Sequence, residues 1–330
     1  MQAGEKTKMK KIKIITTLSS FLLLSSVICH PTSAYASPVG LAIDPPLLRV
    51  QIKPGKSITK VFNIQNTEDA DKNIVVRIIP FTKSDGQGNP VIDVKNNSSW
   101  LRYFGLSNTN MKFNEPFLLK SKTKEQIVLS VSIPDTANLE DIYATLLVTT
   151  YDNTLENDLK GTSISASIGA NLLISITANL NPNTILKIEK IIPTSGNFLK
   201  IGQRYFADNL TPLTFSATAI NDGLFLTDTK GTFRVINKKS SETLALKRIL
   251  PQYVIAKSSR QLTNIDGKPF TFTPALNTLG LHTINFDIKS ENTNTSNSIE
   301  IFFFPFKAGF AIFISIFILK VIFSITTKKH

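Results

Sequence analysis

Apolar and polar residues alternate with a period of two over most of the chain between residues 37 and 306. The clearest cases are residues 127–133, 213–219 and 284–288. Strict alternation is typical of strands that bury one face and expose the other. Less regular segments predict further strands at 47–52, 58–65, 74–81, 142–151, 164–177, 185–191, 231–237, 244–249 and 298–306.

Turn residues separate these segments, as in Lys53-Pro54-Gly55 and Asn221-Asp222-Gly223. Many short strands with turns between them predict an all-β protein of two tandem Ig-like β-sandwiches. A polar, proline-containing segment at 179–183 marks the boundary, so we expect one sandwich at 37–180 and a second at 181–306. The segment 82–125 is too long for a hairpin loop and is expected to cross between sheets.

The first 36 residues have the layout of a secretory signal peptide. Lysines between residues 8 and 13 precede an apolar stretch at 14–28, and Ala34-Tyr35-Ala36 predicts cleavage before Ser37. Cys29 leaves a lipoprotein open as an alternative, although Ile28 stands where lipid attachment needs a small residue.

Residues 307–327 form an apolar segment that predicts one C-terminal transmembrane helix. Lys320 interrupts it, but its long side chain can reach the interface beside Lys328 and Lys329. These lysines indicate that the tail, 328–330, is cytoplasmic. The predicted location is therefore the cell membrane, with a single span and an extracytoplasmic body.

Charge and composition exclude several functions. The formal net charge is +13, of which +4 precedes residue 37 and +4 follows residue 306, so it indicates membrane topology and not nucleic-acid binding. One cysteine and three histidines predict no disulfide framework, no metal site, no cofactor and no catalytic residues. A wall hydrolase stays as a third hypothesis, without a supporting acid–base pair.

Two polar features have competing interpretations. His282 is interpreted as a corner residue bonded to backbone, because no nucleophile motif accompanies it. Acidic residues at 68–71 and around Asp85 suggest calcium, yet neither matches the 12-residue calcium loop. The stretch from Asp85 to Asn89 fits a hairpin turn with positive φ better.

Two groups are candidate binding surfaces. Trp100, Tyr103 and Phe104 form an aromatic cluster that either anchors a partner or completes the core. The alternating residues Lys120, Lys122 and Lys124 form a basic stripe for anionic wall polymers, or else protect a solvated edge strand.

Residues 47–66 read LLRVQIKPGKSITKVFNIQN, and 126–151 read QIVLSVSIPDTANLEDIYATLLVTTY. These runs resemble the Ig domains of the periplasmic-chaperone-like family. The runs NDGLFLTDTKGTFRVIN and AKSSRQLTNI resemble two-domain, membrane-anchored bacterial surface proteins that pair with WxL-domain proteins and peptidoglycan. The resemblance implies an Ig-like fold and a partner at the cell envelope. Asp141 and Ile142 replace the glycine usual before the strand tyrosine.

We therefore expect a bacterial, membrane-anchored protein that binds or scaffolds at the cell envelope without catalysis. Its partner would be a surface protein or a cell-wall polymer. The alternative is a chaperone-like module that serves secreted surface subunits by strand addition.

Overall fold

The structure is a computed structural model. It describes residues 40–151, 166–178, 182 and 184–327, and the described residues from Leu41 onward cluster as one compact unit. Three predictions lie outside the described residues: the signal peptide with Cys29, the boundary between residues 180 and 181, and the tail lysines Lys328 and Lys329.

Ten described strands form the first sandwich. They are β1 (Leu41–Asp44), β2 (Leu47–Ile52), β3 (Ser57–Asn66), β4 (Lys72–Ser84), β5 (Pro90–Ile92), β6 (Phe104–Leu106), β7 (Pro116–Leu119), β8 (Lys124–Ser132), β9 (Asp141–Thr150) and β10 (Ser167–Ile176). Sheet 1a has the order β1-β3-β8-β6, and sheet 1b has the order β2-β10-β9-β4-β5, with β7 also paired to β4. This arrangement is Ig-like. Three hydrogen-bonded neighbours of sheet 1b, β10, β9 and β4, face the four strands of sheet 1a.

Alternation places the first core where the sequence predicts it. Ile127, Leu129 and Val131 on β8 are fully buried; in the β3–β8 register Ile127 lies opposite Phe62, and Val131 lies opposite Ile58. The residues between them face solvent or are half-buried. The period of two therefore predicts both the strand and its buried face.

The remaining ten described strands form the second sandwich. They are β11 (Leu186–Ser195), β12 (Phe198–Ile201), β13 (Arg204–Ala207), β14 (Leu213–Asn221), β15 (Thr227–Asn237), β16 (Thr243–Val254), β17 (Ser258–Gln261), β18 (Phe270–Phe272), β19 (Gly280–Lys289) and β20 (Asn294–Phe303). Sheet 2a has the order β11-β14-β17, with β18 also paired to β14, and sheet 2b has the order β12-β13-β20-β19-β15-β16.

A cluster of phenylalanine rings fills the second core. The Phe233 ring centroid lies 5.7 Å from that of Phe215, 5.2 Å from Phe270 and 5.0 Å from Phe286, and all four side chains are fully buried. The three pairs are tilted, stacked and edge-to-face in turn, and ring pairs at these distances add stabilisation to the area that they bury.

A 22-residue helix, α1 (Phe306–Thr327), follows β20 directly. Most of its apolar side chains up to Leu319 are exposed in the isolated chain. Within the part of the chain that the structure describes, no helix reaches the length and apolarity expected of a membrane span. The membrane-spanning role of 307–327 therefore stays a prediction.

Two predictions about the chain path have clear outcomes. The segment 82–125 does cross between sheets, because β5 and β7 pair with β4 in sheet 1b while β6 pairs with β8 in sheet 1a. The predicted strand 298–306 is wrong at its end: β20 stops at Phe303 and Phe306 already begins the helix. Pro305 explains the stop, since it has no N–H to continue the ladder.

Candidate functional site

A small apolar cluster joins the two sandwiches. Phe81, Tyr143 and Leu173 project from the outer face of sheet 1b and are separate from the first core. They pack on Leu226 and Ile255 of the second sandwich, and all five side chains are nearly or fully buried. Both sides of the contact are buried and apolar, so separating the two sandwiches here would expose apolar surface to water.

Two hydrogen-bonded groups fix the geometry of this junction, which we call the elbow. Tyr143 Oη donates to Asp141 Oδ2 at 2.5 Å and accepts from the Ala256 N–H at 2.9 Å. Asp141 Oδ2 also accepts from the Leu226 N–H. Burial raises the pKa of Asp141, although hydrogen bonds from Ser175, Tyr143 and Leu226 oppose the rise.

Burial beside the Asp141 carboxylate also raises the pKa of Tyr143 far above its usual range. The phenol therefore stays protonated and keeps its donor role at any physiological pH. A cation–π contact adds to the elbow, since the Arg49 guanidinium lies 5.0 Å from the Tyr253 ring centroid.

A cleft of about 350 Å³ opens beside the elbow. Its apolar lining comes from both sandwiches and includes Leu47, Leu173 and Ile255. Arg260 supplies the positive charge: one terminal nitrogen donates to the Tyr253 carbonyl at 2.8 Å, and Nε–H has no partner among the described residues. Burial lowers the pKa of Arg260, while Asp85 partly offsets that effect.

The cleft borders a sheet edge. β2 is the terminal strand of sheet 1b, and its only described neighbour is β10. The Asn171 N–H on β10 donates to the Pro46 carbonyl, and the Thr177 N–H, just after β10, donates to the Ile52 carbonyl. Even-numbered residues of β2 therefore turn their backbone groups toward β10. Backbone direction alternates along a strand, so Leu47, Arg49 and Gln51 turn theirs outward. Among the described residues, no strand pairs with this outward edge. Leu47 borders the cleft, whereas Arg49 and Gln51 lie beside a smaller pocket that Thr184 and Asn292 also line.

The aromatic candidates lie at the first core and away from the cleft. A 3-10 turn, Ser99–Tyr103, leads into β6. Phe104 is buried, and its ring makes an edge contact with Trp100 at 6.0 Å. Trp100 and Tyr103 are half-buried and pack on the same core. Their role in binding a partner stays a prediction.

The basic stripe lies at the turn between β7 and β8. Lys120, Lys122 and Lys124 are all exposed. Lys122 has a φ of 55° and forms an ion pair with Asp69 at 3.2 Å, while its ammonium also donates to the Thr67 carbonyl. One of the three charges is thus already used to close a turn. Lys320 lies on α1 and is exposed.

His282 and Asp85 have the structural surroundings that the sequence suggests. His282 is fully buried, and Nδ1 lies 3.0 Å from the Gly280 carbonyl oxygen. Asp85 Oδ1 accepts from the Gln87 and Asn89 N–H groups, and Gly88 has a φ of 92°. Asp85 therefore closes a turn, and His282 contacts the backbone at the start of β19. Among the described residues, no group of three or more potential metal ligands lies together.

The cleft itself is absent from the sequence-based expectations. Arg260 lies in a polar run, Ser258–Gln261, that has no apolar alternation, and its cleft partners are far away along the chain. The available signal was Tyr143, an aromatic residue in an otherwise aliphatic strand. Its polar tip requires a hydrogen-bond partner when it is buried.

The sequence matches no protein-family model and no curated protein. Several solved structures with similarity to this chain are chaperones of pilus assembly. The CsuC–CsuE chaperone–adhesin complex of Acinetobacter baumannii is 12% identical, covers 80% of this chain and 99% of its own, and has a TM-score of 0.35. The E. coli chaperone DraB is 12% identical, covers 79% of this chain and 96% of its own, and has a TM-score of 0.34. The Salmonella enterica SafA pilin–SafB chaperone complex is 11% identical, covers 79% of this chain and 95% of its own, and has a TM-score of 0.33. Such low values carry no argument about this chain's function.

Proposed function

We propose that this chain is an extracytoplasmic, non-enzymatic protein-binding module that holds an extended segment of a secreted surface subunit along β2. The observation that carries this proposal is the edge position of β2, which among the described residues pairs only with β10 and whose Leu47 lines a cleft of about 350 Å³. Main-chain hydrogen bonds to Leu47, Arg49 and Gln51 would give affinity. Alternate side chains of the bound strand would enter the cleft and give specificity.

The elbow supports this function because it fixes the cleft before a partner arrives. A preformed cleft spares the partner the entropic cost of ordering two domains. The cleft lining suits a segment that offers an apolar side chain to Leu173 and Ile255 and a negative or polar group to Arg260.

Two lifetimes of the complex define two candidate functions. A short-lived complex would make the chain chaperone-like, handing subunits on to an assembly. A long-lived complex would make it a scaffold at the cell envelope. The cleft and edge favour the chaperone-like function, whereas a membrane anchor would favour the scaffold by confining bound subunits to the surface.

We also propose that residues 307–327 anchor the body in the membrane after removal of 1–36. The exposed apolar side chains of α1, such as Phe310, Phe313 and Leu319, support this proposal, as does the basic tail. Neutral detergent, and not high salt, should then release the mature protein, whose N-terminal residue should be Ser37. Release by salt alone would contradict the anchor.

Site-specific photocrosslinking tests the main proposal. A photoreactive amino acid at Leu47, which is 39% exposed, should form an adduct with a secreted subunit in living cells. The same label at Lys190, an exposed residue on β11, is the matched control. Adding Gln51→Pro removes one outward N–H and should abolish the adduct, whereas Gln51→Ala keeps the N–H and should retain it.

A chase after inhibition of protein synthesis separates the two lifetimes. The adduct yield should fall within the chase for a chaperone and persist for a scaffold. Strand addition at β2 would be refuted by equal adduct yields at positions 47 and 190. It would also be refuted if Gln51→Pro left the adduct yield unchanged while the protein kept its normal melting temperature.

A further inference from the structure

A second surface feature is a groove of about 680 Å³ on the outer face of sheet 2b. It runs across β16, β15, β19 and β20, on the face opposite the phenylalanine core. Gly231 sits where the pairing of β15 with β16 shifts register, and its backbone lies so close to β19 that an added Cβ would be 1.9 Å from the Asp287 carbonyl oxygen. Such bulges bend a strand locally, which hollows the face of the sheet.

The groove carries an excess of positive charge. Lys230, Arg234, Arg248 and Lys289 line it, and Asp287 is the only acidic side chain among the described residues that line it. Arg234 already neutralises that carboxylate, because its Nη2 lies 2.5 Å from Asp287 Oδ2. Burial would raise the pKa of Asp287, but hydrogen bonds from Arg234, Ser296 and Asn285 outweigh it and lower the pKa. The carboxylate therefore stays ionised and paired.

Three cations in the groove have no partner among the described residues. The side chains of Lys230, Arg248 and Lys289 are exposed and make no hydrogen bond or ion pair there. Lys230 stands directly opposite Lys289 in the β15–β19 register. Like charges at directly opposed positions destabilise a sheet, so this pair is unfavourable unless an anion lies between the two ammonium groups.

Neutral donors flank the cations. Thr232 lies between Arg248 and Asp287 in register, and Asn294 and Ser296 on β20 extend the two rows across the sheet. The Lys230–Lys289 row and the Arg248 row are two residues apart, which is about 6.7 Å along a strand. The groove thus offers two separate positions for negative charge, with hydroxyl and amide groups beside them.

We propose that this groove binds consecutive phosphate groups of a phosphodiester-linked polyol or sugar chain. One phosphate lies between Lys230 and Lys289, and the next meets Arg248, whose planar guanidinium suits phosphate oxygens. Thr232, Asn294 and Ser296 bond the hydroxyl groups of the carrier. This ligand is independent of the β2 edge, because the two surfaces share no residue.

Titration of the purified full-length chain in neutral detergent with a soluble glycerol-phosphate oligomer tests the assignment. Neutral dextran of similar length and inorganic phosphate are the comparison probes. Lys230→Gln with Lys289→Gln should weaken oligomer binding by about 10- to 100-fold, as expected for lost charged hydrogen bonds. Lys53→Gln with Lys190→Gln removes the same charge from exposed sites elsewhere and should leave binding nearly unchanged.

Thermal melting gives an independent readout. Without oligomer, Lys289→Gln should raise the melting temperature slightly, because it removes the repulsion with Lys230. With oligomer, the wild type should gain more than the variant. Equal affinities of the two double variants would overturn the proposal. Binding of anionic phospholipid vesicles through the groove, without oligomer binding, would also overturn it in favour of lipid headgroups. Crosslinking at Leu47 should be unaffected by these variants, so failure here leaves strand addition standing.

Discussion

The elbow predicts that the Tyr143 hydroxyl contributes to the coupling between the two sandwiches. Tyr143→Phe keeps the ring and its stacking on Phe81, whose centroid lies 5.6 Å away at an interplanar angle of 18°. It removes the donor to Asp141 and the acceptor for the Ala256 N–H. A hydrogen bond to a charged group contributes about 1.5–3 kcal/mol, and an unpaired buried donor costs about 1–3 kcal/mol.

These two contributions overlap, so we expect a net loss of about 2–3 kcal/mol. For the compact unit Leu41–His330, with an unfolding entropy of about 2.1 cal/mol/K per residue, such a loss corresponds to a fall in melting temperature of about 3–5 °C. Differential scanning calorimetry should also show the single transition of the wild type broaden or divide, because each sandwich has its own core.

The matched control is Tyr151→Phe, which removes a hydroxyl from an exposed tyrosine at the end of β9. It should leave both the midpoint and the shape of the transition unchanged. Adding Asp141→Asn to Tyr143→Phe should recover part of the loss, because it replaces a buried charge that has lost the Tyr143 donor with a neutral amide. If Tyr143→Phe unfolds like Tyr151→Phe, the Tyr143 hydroxyl does not couple the domains.

Three further outcomes are expected. Burial lowers the pKa of His282, so near pH 6.5 the unfolded chain binds a proton at this residue that the folded chain does not bind. The free energy of unfolding should therefore fall as pH drops below about 6.5. The melting temperatures of His282→Phe at pH 7.5 and 5.5 should differ less than those of the wild type. Gly231→Ala forces a Cβ against the Asp287 carbonyl and should cost at least about 1–3 kcal/mol in chemical denaturation, whereas Gly86→Ala, with open space around it, should cost little. Phe233→Ala should cost about 3–5 kcal/mol by the same measurement, because three rings lose their central contact.

The sequence predicts the strands that carry a strong period of two. β2 has the predicted bounds, and β8 and β19 bury the predicted faces. Strands without that signal are missed. Phe198–Ile201 of β12 is exposed along its whole length, and Ser258–Gln261 of β17 contains no apolar residue. Both exist because a neighbouring strand supplies the ladder, which alternation cannot reveal.

The candidate site is harder to predict for a related reason. The cleft combines residues from β2 to β17, and the groove depends on a register in which Lys230 meets Lys289. Sequence position gives neither pairing. The individual residue types were visible, but their chemistry arises only from which strands become neighbours.

The path from β20 into α1 has a mechanical consequence. Only Phe304 and Pro305 separate the two elements, and β20 is flanked by β13 on one side and β19 on the other. Any pull transmitted through the C-terminal helix therefore loads an interior strand, whose two ladders must shear together before the strand can move. A body tethered in this way would withstand drag on a bound partner better than one hung from a peripheral strand, which could be peeled away one bond at a time.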